Sequence, residues 1–201
     1  MARKSRTMES KYRQNITNEE LNGLPLGRFE GEIVVVDDAG AAEAACAYLA
    51  VHRVIGFDTE SRPAFSKGVV NKMALLQLSG GDKAFLFRLN RMALVKPILR
   101  IMEDESIVKA GAAIRDDLKG LQKFRRFTPR GFVELQAIVG DYGIEDKSLR
   151  KLAGIVLGVK ISKAQRLSNW EAHTLTEAQQ IYAATDAWIG RQIYIGLTGS
   201  L

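Results

Sequence analysis

Residues 54–60 form a short apolar run that ends in two acidic residues, Val-Ile-Gly-Phe-Asp-Thr-Glu. Its β-branched and aromatic residues predict a mostly buried strand. Because side chains alternate along a strand, Asp58 and Glu60 point to the same face. Neighbouring carboxylates repel each other and are costly to desolvate, and a divalent cation with oxygen ligands, such as Mg²⁺ or Mn²⁺, relieves both problems. The alternative is a strand end whose acids face solvent.

The length and composition predict a soluble protein of one domain. The chain has 201 residues, of which 46% are hydrophobic and 26% charged, enough for an ordinary core. No apolar run approaches the length of a membrane span, and the basic segment 1–13 lacks the apolar stretch of a secretory signal. The single cysteine, Cys46, excludes an intramolecular disulfide. A cytoplasmic location without a membrane is the simplest interpretation.

The charge indicates a polyanionic partner. The net charge is +6 and the isoelectric point is about 9.5. Residues 147–166 carry six basic and no acidic side chains, and residues 115–130 carry six basic side chains against two acidic ones. The alternative is that both stretches are solvated helix faces.

The order of predicted elements is typical of an α/β domain with one core. Residues 1–30 form a basic and polar N-terminal arm, with a short helix that begins near Thr17, and residues 31–201 form a single domain. Strands are predicted at 33–36, 54–59, 73–78, 84–87, 107–110 and 132–135. Helices are predicted at about 39–51, 97–102, 114–124, 134–140, 148–157 and 177–197.

Two further acidic positions are candidates for the same site. Asp116 and Asp117 follow a strand and a glycine, so one of them caps a helix and the other is a ligand, or both are solvated. Tyr182 and Asp186 lie four residues apart on one largely buried helical face. A buried Asp needs a partner or a metal, and the alternative is a Tyr–Asp hydrogen bond. No Ser-His-Asp order, phosphate-binding loop or zinc spacing is present.

Three segments, in order, resemble the motifs of the DEDD superfamily of 3′–5′ exonucleases, tyrosine subgroup. The motif segments are Phe57–Glu60, Ala110–Asp117 and Tyr182–Asp186. The flanking segments that resemble the ribonuclease D and Werner-syndrome exonuclease branch are 72–78, 148–152, 168–170 and 175–186. The family spacing favours Asp117 over Asp116. The sequence stops fifteen residues after Asp186, without the C-terminal helical domain of ribonuclease D, which favours the Werner-type catalytic domain.

The resemblance implies a ribonuclease-H-like (DnaQ-like exonuclease) fold, a five-stranded mixed sheet flanked by helices. It also implies a 3′–5′ exonuclease that releases nucleoside 5′-monophosphates from single-stranded 3′ ends of DNA or RNA, with two divalent ions, Mg²⁺ or Mn²⁺, and no obligate protein partner. Asp58 is expected to contact both ions, Glu60 and Asp186 to hold the ion that activates water, and Asp117 to hold the second. Tyr182 is expected to orient the attacking water.

Nucleic-acid contacts are expected around these motifs. Met73 or Leu75 is expected to wedge against the terminal base, and Trp170 either stacks on a base or packs. The basic residues expected on the substrate rim or against backbone phosphates are Arg62, Lys67, Lys72, Lys163 and Arg166. The alternative function is a catalytically weak nucleic-acid-binding module that keeps the fold.

Overall fold

A mixed sheet of six strands forms the centre of the fold. The structure is a computed structural model that describes residues 11–64 and 71–200. The strands are Glu32–Val36 (β1), Val54–Ser61 (β2), Met73–Ser79 (β3), Lys83–Arg88 (β4), Val108–Gly111 (β5) and Phe132–Glu134 (β6). Their order is β1-β4-β3-β2-β5-β6, in which β3 pairs antiparallel with both β2 and β4 and the other neighbours pair in parallel.

The predicted α/β class and the mixed sheet are confirmed. The family resemblance predicted five strands, whereas the sheet has six. The edge strand β6 corresponds to the strand predicted from the residues at 132–135; it is only three residues long and pairs with β5 from Lys109 to Gly111. So short an edge strand extends the sheet without changing its core.

Seven α-helices surround the sheet in the described residues. They are Asn18–Gly23 (α1), Ala39–Leu49 (α2), Lys96–Glu103 (α3), Ile114–Gln122 (α4), Leu135–Ile138 (α5), Leu149–Leu152 (α6) and Glu177–Thr198 (α7). Thr17 and Thr176 form capping boxes at the starts of α1 and α7. The helix predicted over 148–157 continues from α6 as a π-turn over Ala153–Leu157. None of these helices combines the length and apolar character that crossing a membrane requires.

The longest helix, α7, lies directly against β2. A Cβ atom built on Gly56 would lie only 1.8 Å from the carbonyl oxygen of Ala187 in α7. Since side chains alternate along β2, Gly56, Asp58 and Glu60 share the face that α7 covers. Phe57 points the other way, into the main hydrophobic core. The acids of β2 are thus held beneath a helix whose backbone touches the strand.

The described part of the predicted arm, residues 11–30, is docked on the domain. Ile16, Leu21 and Phe29 are buried, with 3%, 0% and 4% of their surface exposed. The hydroxyl of Tyr12 donates a hydrogen bond to the carbonyl of Gly196 in α7 at 2.5 Å. The segment therefore adds a layer to the fold beside α7.

Candidate active site

Three carboxylates meet between β2 and α7. One oxygen atom from each of Asp58, Glu60 and Asp186 lies within 4.8 Å of the others. Asp58 and Glu60 come from the strand, and Asp186 comes from the helix that covers it. Carboxylate oxygens at such spacing are the ligands that Mg²⁺ and Mn²⁺ take in proteins.

Asp117, in the first turn of α4, faces the same region from the opposite layer. The hydroxyl of Thr59, which alternates to the other face of β2, donates to Asp117 Oδ1 at 2.7 Å. The charge of Asp117 also helps to raise the pKa of Glu60. Asp116 is exposed and forms an ion pair with Lys119 at 2.9 Å. Asp117 rather than Asp116 therefore turns toward the carboxylate cluster.

The electrostatics of the four acids fit a divalent cation. Burial raises the pKa of Glu60 to about 8, that of Asp186 to about 7 and that of Asp117 to about 6. Burial and then repulsion from the neighbouring acids raise the pKa of Asp58 well above its ordinary value. Without a cation the cluster retains protons near neutral pH, and a cation would compensate the repulsion that keeps them bound.

Tyr182 lies one helical turn before Asp186 and packs on Trp170. The two ring centroids are 5.9 Å apart. Burial and the neighbouring acids raise the pKa of the Tyr182 phenol, so its hydroxyl stays protonated at neutral pH and can donate a hydrogen bond. Trp170 is fully buried. Of the two alternatives for Trp170, the structure therefore favours packing, because the ring presents no surface to a base and instead supports Tyr182.

The two candidates for a base wedge differ in exposure. Leu75 is fully buried, in one cluster with Leu86 and Ala183, so it presents no surface to a nucleic acid. Its expected role as a wedge is corrected: its side chain fills the layer between the sheet and α7. Met73 is only half-buried and packs close to Gly120 of α4. Of the two, Met73 has surface that a base can reach.

The basic residues expected at the rim occupy different surroundings. Lys72 is exposed beside Met73, and Arg62 forms an ion pair with Glu171 at 3.6 Å. Lys163 and Arg166 are exposed on the segment that precedes Trp170. Lys67 lies outside the described residues.

Two cavities flank the carboxylates. The first, of about 620 Å³, lies on the Asp117 side. It is lined by Ser61, Asn71, Lys72, Met73, Asp116, Asp117, Lys119, Gly120, Lys123 and Phe124. The second, of about 210 Å³, lies on the Asp186 side. It is lined by Leu26, Gly27, Arg28, Ser162, Ala164, Gln165, Ala178, Ile181, Tyr182, Thr185 and Asp186. Each cavity therefore reaches one of the acids, Asp117 in the first and Asp186 in the second.

Several residues around the site were not predicted. Alternation along β2 predicts that Thr59 points to the face opposite Asp58 and Glu60. The hydrogen bond that Thr59 donates to Asp117 on that face has no signal in the sequence. Glu134 of β6 accepts hydrogen bonds from the backbone N–H groups of Ala113 and Ile114 at 3.0 and 2.8 Å and so caps α4. A cap from about twenty residues away leaves no local pattern in the sequence. Arg28 reaches the second cavity from the docked N-terminal segment.

Comparison with known proteins agrees with this geometry. A family model described as "3'-5' exonuclease" matches residues 33–201. The chain belongs to the 3′–5′ exonuclease family. The bifunctional 3′–5′ exonuclease/ATP-dependent helicase WRN of Mus musculus is 34% identical to this exonuclease domain over 183 residues, which are 86% of the chain and 13% of the relative. The chain spans 13–25% of the length of the first curated relatives it matches.

Solved structures show that the exonuclease domain has the expected fold. The EXO domain of Nibbler from Aedes aegypti superposes with a TM-score of 0.75 at 23% identity and covers 88% of this chain and 90% of its own. The RNase D of Trypanosoma brucei in complex with RNA U12 superposes with a TM-score of 0.76 at 20% identity, covering 86% of this chain and 64% of its own.

Proposed function

We propose that the chain is a metal-dependent 3′–5′ exonuclease, which hydrolyses phosphodiester bonds at nucleic-acid 3′ ends and releases nucleoside 5′-monophosphates. The observation that carries the proposal is the convergence of Asp58, Glu60 and Asp186 within 4.8 Å. Tyr182 beside them and Asp117 across from them complete the set of side chains that the reaction needs. Membership of the exonuclease family supports the same activity.

Each side chain has a distinct proposed role. Two divalent ions, Mg²⁺ or Mn²⁺, would stabilise negative charge on the phosphate and lower the pKa of the attacking water when bound. Asp58 would hold both ions, Glu60 and Asp186 would hold one of them, and Asp117 would hold the other. Tyr182 orients the attacking water through its hydroxyl, since a phenol with a raised pKa is a poor base.

The two cavities suggest a path for the substrate. The smaller cavity carries apolar side chains such as Leu26 and Ile181 and suits the terminal nucleoside. The larger cavity carries Lys72, Lys119 and Lys123 and suits the phosphates of the strand that leads to it. Single-stranded DNA and RNA ends are both proposed substrates, and the complex of the trypanosomal RNase D with RNA supports RNA.

The domain boundaries and the location are also proposals. We propose that residues 31–201 form one catalytic domain, against which the described part of the N-terminal segment packs. Arg62, Lys67, Lys163 and Arg166 remain proposed contacts to the strand outside the two cavities. A cytoplasmic location is supported by the single cysteine, Cys46, which is free and buried.

The decisive experiment follows trimming of 5′-labelled DNA and RNA strands with Mg²⁺, Mn²⁺ or EDTA. We expect a metal-dependent ladder, and Asp58→Asn should lower the rate about a thousandfold or more, because metal ions contribute several kcal/mol to the transition state. Asp141→Asn is the matched control, since this acid is exposed and lines neither cavity. It should trim like wild type.

Trimming by Asp58→Asn at the wild-type rate would contradict the proposed site. No cleavage by wild type with any metal, together with a clear mobility shift, would instead establish the nucleic-acid-binding module.

A further inference from the structure

Gln77, in the middle of β3, has a buried side chain whose hydrogen-bonding groups are all unused. None of its surface is exposed, and neither Oε1 nor Nε2 has a hydrogen-bond partner within the described residues. A buried amide without partners is costly, because it has lost water and gained nothing in return. An apolar side chain of similar size would avoid that cost, so the amide requires an explanation.

Strand pairing places Gln77 directly opposite Asp58. In the sheet, Gln77 lies opposite Asp58 of β2 on one side and Leu86 of β4 on the other. Side chains of opposite residues share a face, with Cβ atoms roughly 4.5–5.5 Å apart. Leu86 packs with Ala183 of the covering helix, and neither side chain can hydrogen-bond. Of the two cross-strand neighbours of Gln77, Asp58 is therefore the one with a hydrogen-bond acceptor.

We propose that Gln77 is a positioning residue for Asp58, whose carboxylate accepts a hydrogen bond from the Gln77 amide when it holds metal. This inference rests on the proposed function insofar as Asp58 is a metal ligand. Carboxylates that bind metals are themselves held by hydrogen bonds from a surrounding layer of side chains. The terminal torsion of Gln has a broad energy minimum, so the amide can turn toward Asp58 without displacing the strand.

Gln77→Met tests the proposal, because it removes the amide and keeps the length of the side chain. We expect the affinity for Mn²⁺, measured without nucleic acid by the electron paramagnetic resonance of free Mn²⁺, to fall about tenfold to a hundredfold. The metal-free variant should have an unchanged or higher Tm, because the orphaned polar group is gone. A role in packing alone predicts no change in Mn²⁺ affinity.

Leu86→Met is the matched control. It alters the other cross-strand neighbour of Gln77 in the same buried layer without changing any hydrogen-bonding group. It should bind Mn²⁺ like wild type. Gln77→Leu repeats the test with a different apolar shape, so that a packing defect peculiar to Met does not decide the result.

Wild-type Mn²⁺ affinity in both Gln77 variants would overturn the proposal, and so would an equal loss in Leu86→Met. Different results would refute the proposed exonuclease function and the role of Gln77. A wild-type protein that binds Mn²⁺ but trims no strand would refute the exonuclease while the Gln77 comparison still stands. A wild-type protein that trims strands while the Gln77 variants bind Mn²⁺ normally would refute only the positioning role.

Discussion

At the scale of single residues, the site consists of ordinary side chains whose environments change their chemistry. Asp116 and Asp117 are neighbours in the sequence, yet a hydrogen bond from Lys119, together with its charge, lowers the pKa of the first, whereas burial raises that of the second to about 6. Tyr182 keeps its proton because burial and nearby acids raise its pKa. Position relative to β2 and α7 therefore decides which residues can act.

Replacing Tyr182 by Phe should slow the reaction more than it weakens binding. The variant loses one hydroxyl and retains the ring that packs on Trp170. We expect a fall in kcat of roughly tenfold to a hundredfold with little change in KM, which corresponds to one strong hydrogen bond in the transition state. Single-turnover trimming measures it. Tyr194→Phe, farther along α7, is the control, and an unchanged rate in Tyr182→Phe would remove its proposed role.

The raised carboxyl pKa values should make the metal-free protein less stable as pH rises. Glu60 and Asp186 have folded-state pKa values of about 8 and about 7, whereas the unfolded chain has ordinary values of roughly 4.3 and 3.9. Between those limits the folded state binds more protons, so the free energy of unfolding decreases with pH. We expect Tm in EDTA to fall by several degrees from pH 5 to pH 8.

Thermal melts across this pH range, with and without Mg²⁺, measure the effect. Saturating Mg²⁺ should reverse the loss at pH 8, and Glu60→Gln should flatten the slope in EDTA. Asp116→Asn should leave the slope unchanged. A Tm that rises with pH in EDTA would contradict the raised pKa values.

At the scale of elements, the placement of Asp117 depends on contacts that are distant in sequence. Its helix, α4, begins after Ala113, which adopts a left-handed conformation with φ of 61° and has no side-chain cap of its own. The carboxylate of Glu134 supplies the missing acceptor from β6. The edge strand thus fixes the start of the helix that presents Asp117.

Glu134→Ala should affect both stability and catalysis. Loss of the cap should cost about 1–2 kcal/mol of unfolding free energy, and trimming should slow because the first turn of α4 loses its anchor. Glu103→Ala is the control, since Glu103 accepts a backbone N–H from Thr128 outside α4. Urea unfolding and the trimming assay report the two effects. A destabilised Glu134→Ala with a normal rate would show that Asp117 does not depend on this cap.

The sequence allowed the elements to be predicted better than their contacts. Hydrophobic alternation and the capping residues Asp38, Thr17 and Thr176 were sufficient for most strands and helices. The residue pattern predicted the strand at 132–135 and the helix at 148–157, and only the count of five strands implied by the family resemblance was too low. The π-turn after α6 has no pattern of its own, so it was predicted as ordinary helix. An aromatic residue beside a motif has the same sequence signature whether it packs or stacks, which is why both alternatives were open for Trp170.

The same limit applied to the site. Motif spacing brought Asp58, Glu60, Tyr182 and Asp186 into one prediction, and the structure places them together. Gln77 lies within the resembling segment 72–78, but its role could not be predicted, because a single Gln within an apolar strand does not show which strand will lie beside it. Only the register between β2 and β3 reveals its neighbour.

At the scale of the whole molecule, the N-terminal segment has a structural side and a ligand-facing side. Leu21 is fully buried and approaches Gly154, whereas Leu26 is 60% exposed at the mouth of the smaller cavity. The segment therefore contributes to the core and to the wall of the proposed substrate site at once.

Two leucine substitutions should separate these contributions. Leu21→Ala should cost about 2–5 kcal/mol, because it leaves a cavity in the core. Leu26→Ala should change stability by no more than about 0.5 kcal/mol while raising KM for a labelled strand. Urea unfolding and steady-state trimming measure them. Equal losses of stability in the two variants would show that Leu26 is also part of the core.

The contact at Gly56 has a further meaning for how such proteins are compared. Helix α7 can lie this close to the sheet only because Gly56 has no side chain. A Cβ atom on residue 56 would overlap the carbonyl oxygen of Ala187. The distance between Asp58 on β2 and Asp186 on α7 depends on this close approach of the helix to the sheet. A homologue could keep every acid and the tyrosine, and yet lose its metal site through one alanine in the strand. The presence of the motif residues is therefore not enough to recognise an active nuclease, because the distance between the strand and the helix that carry them must also be kept.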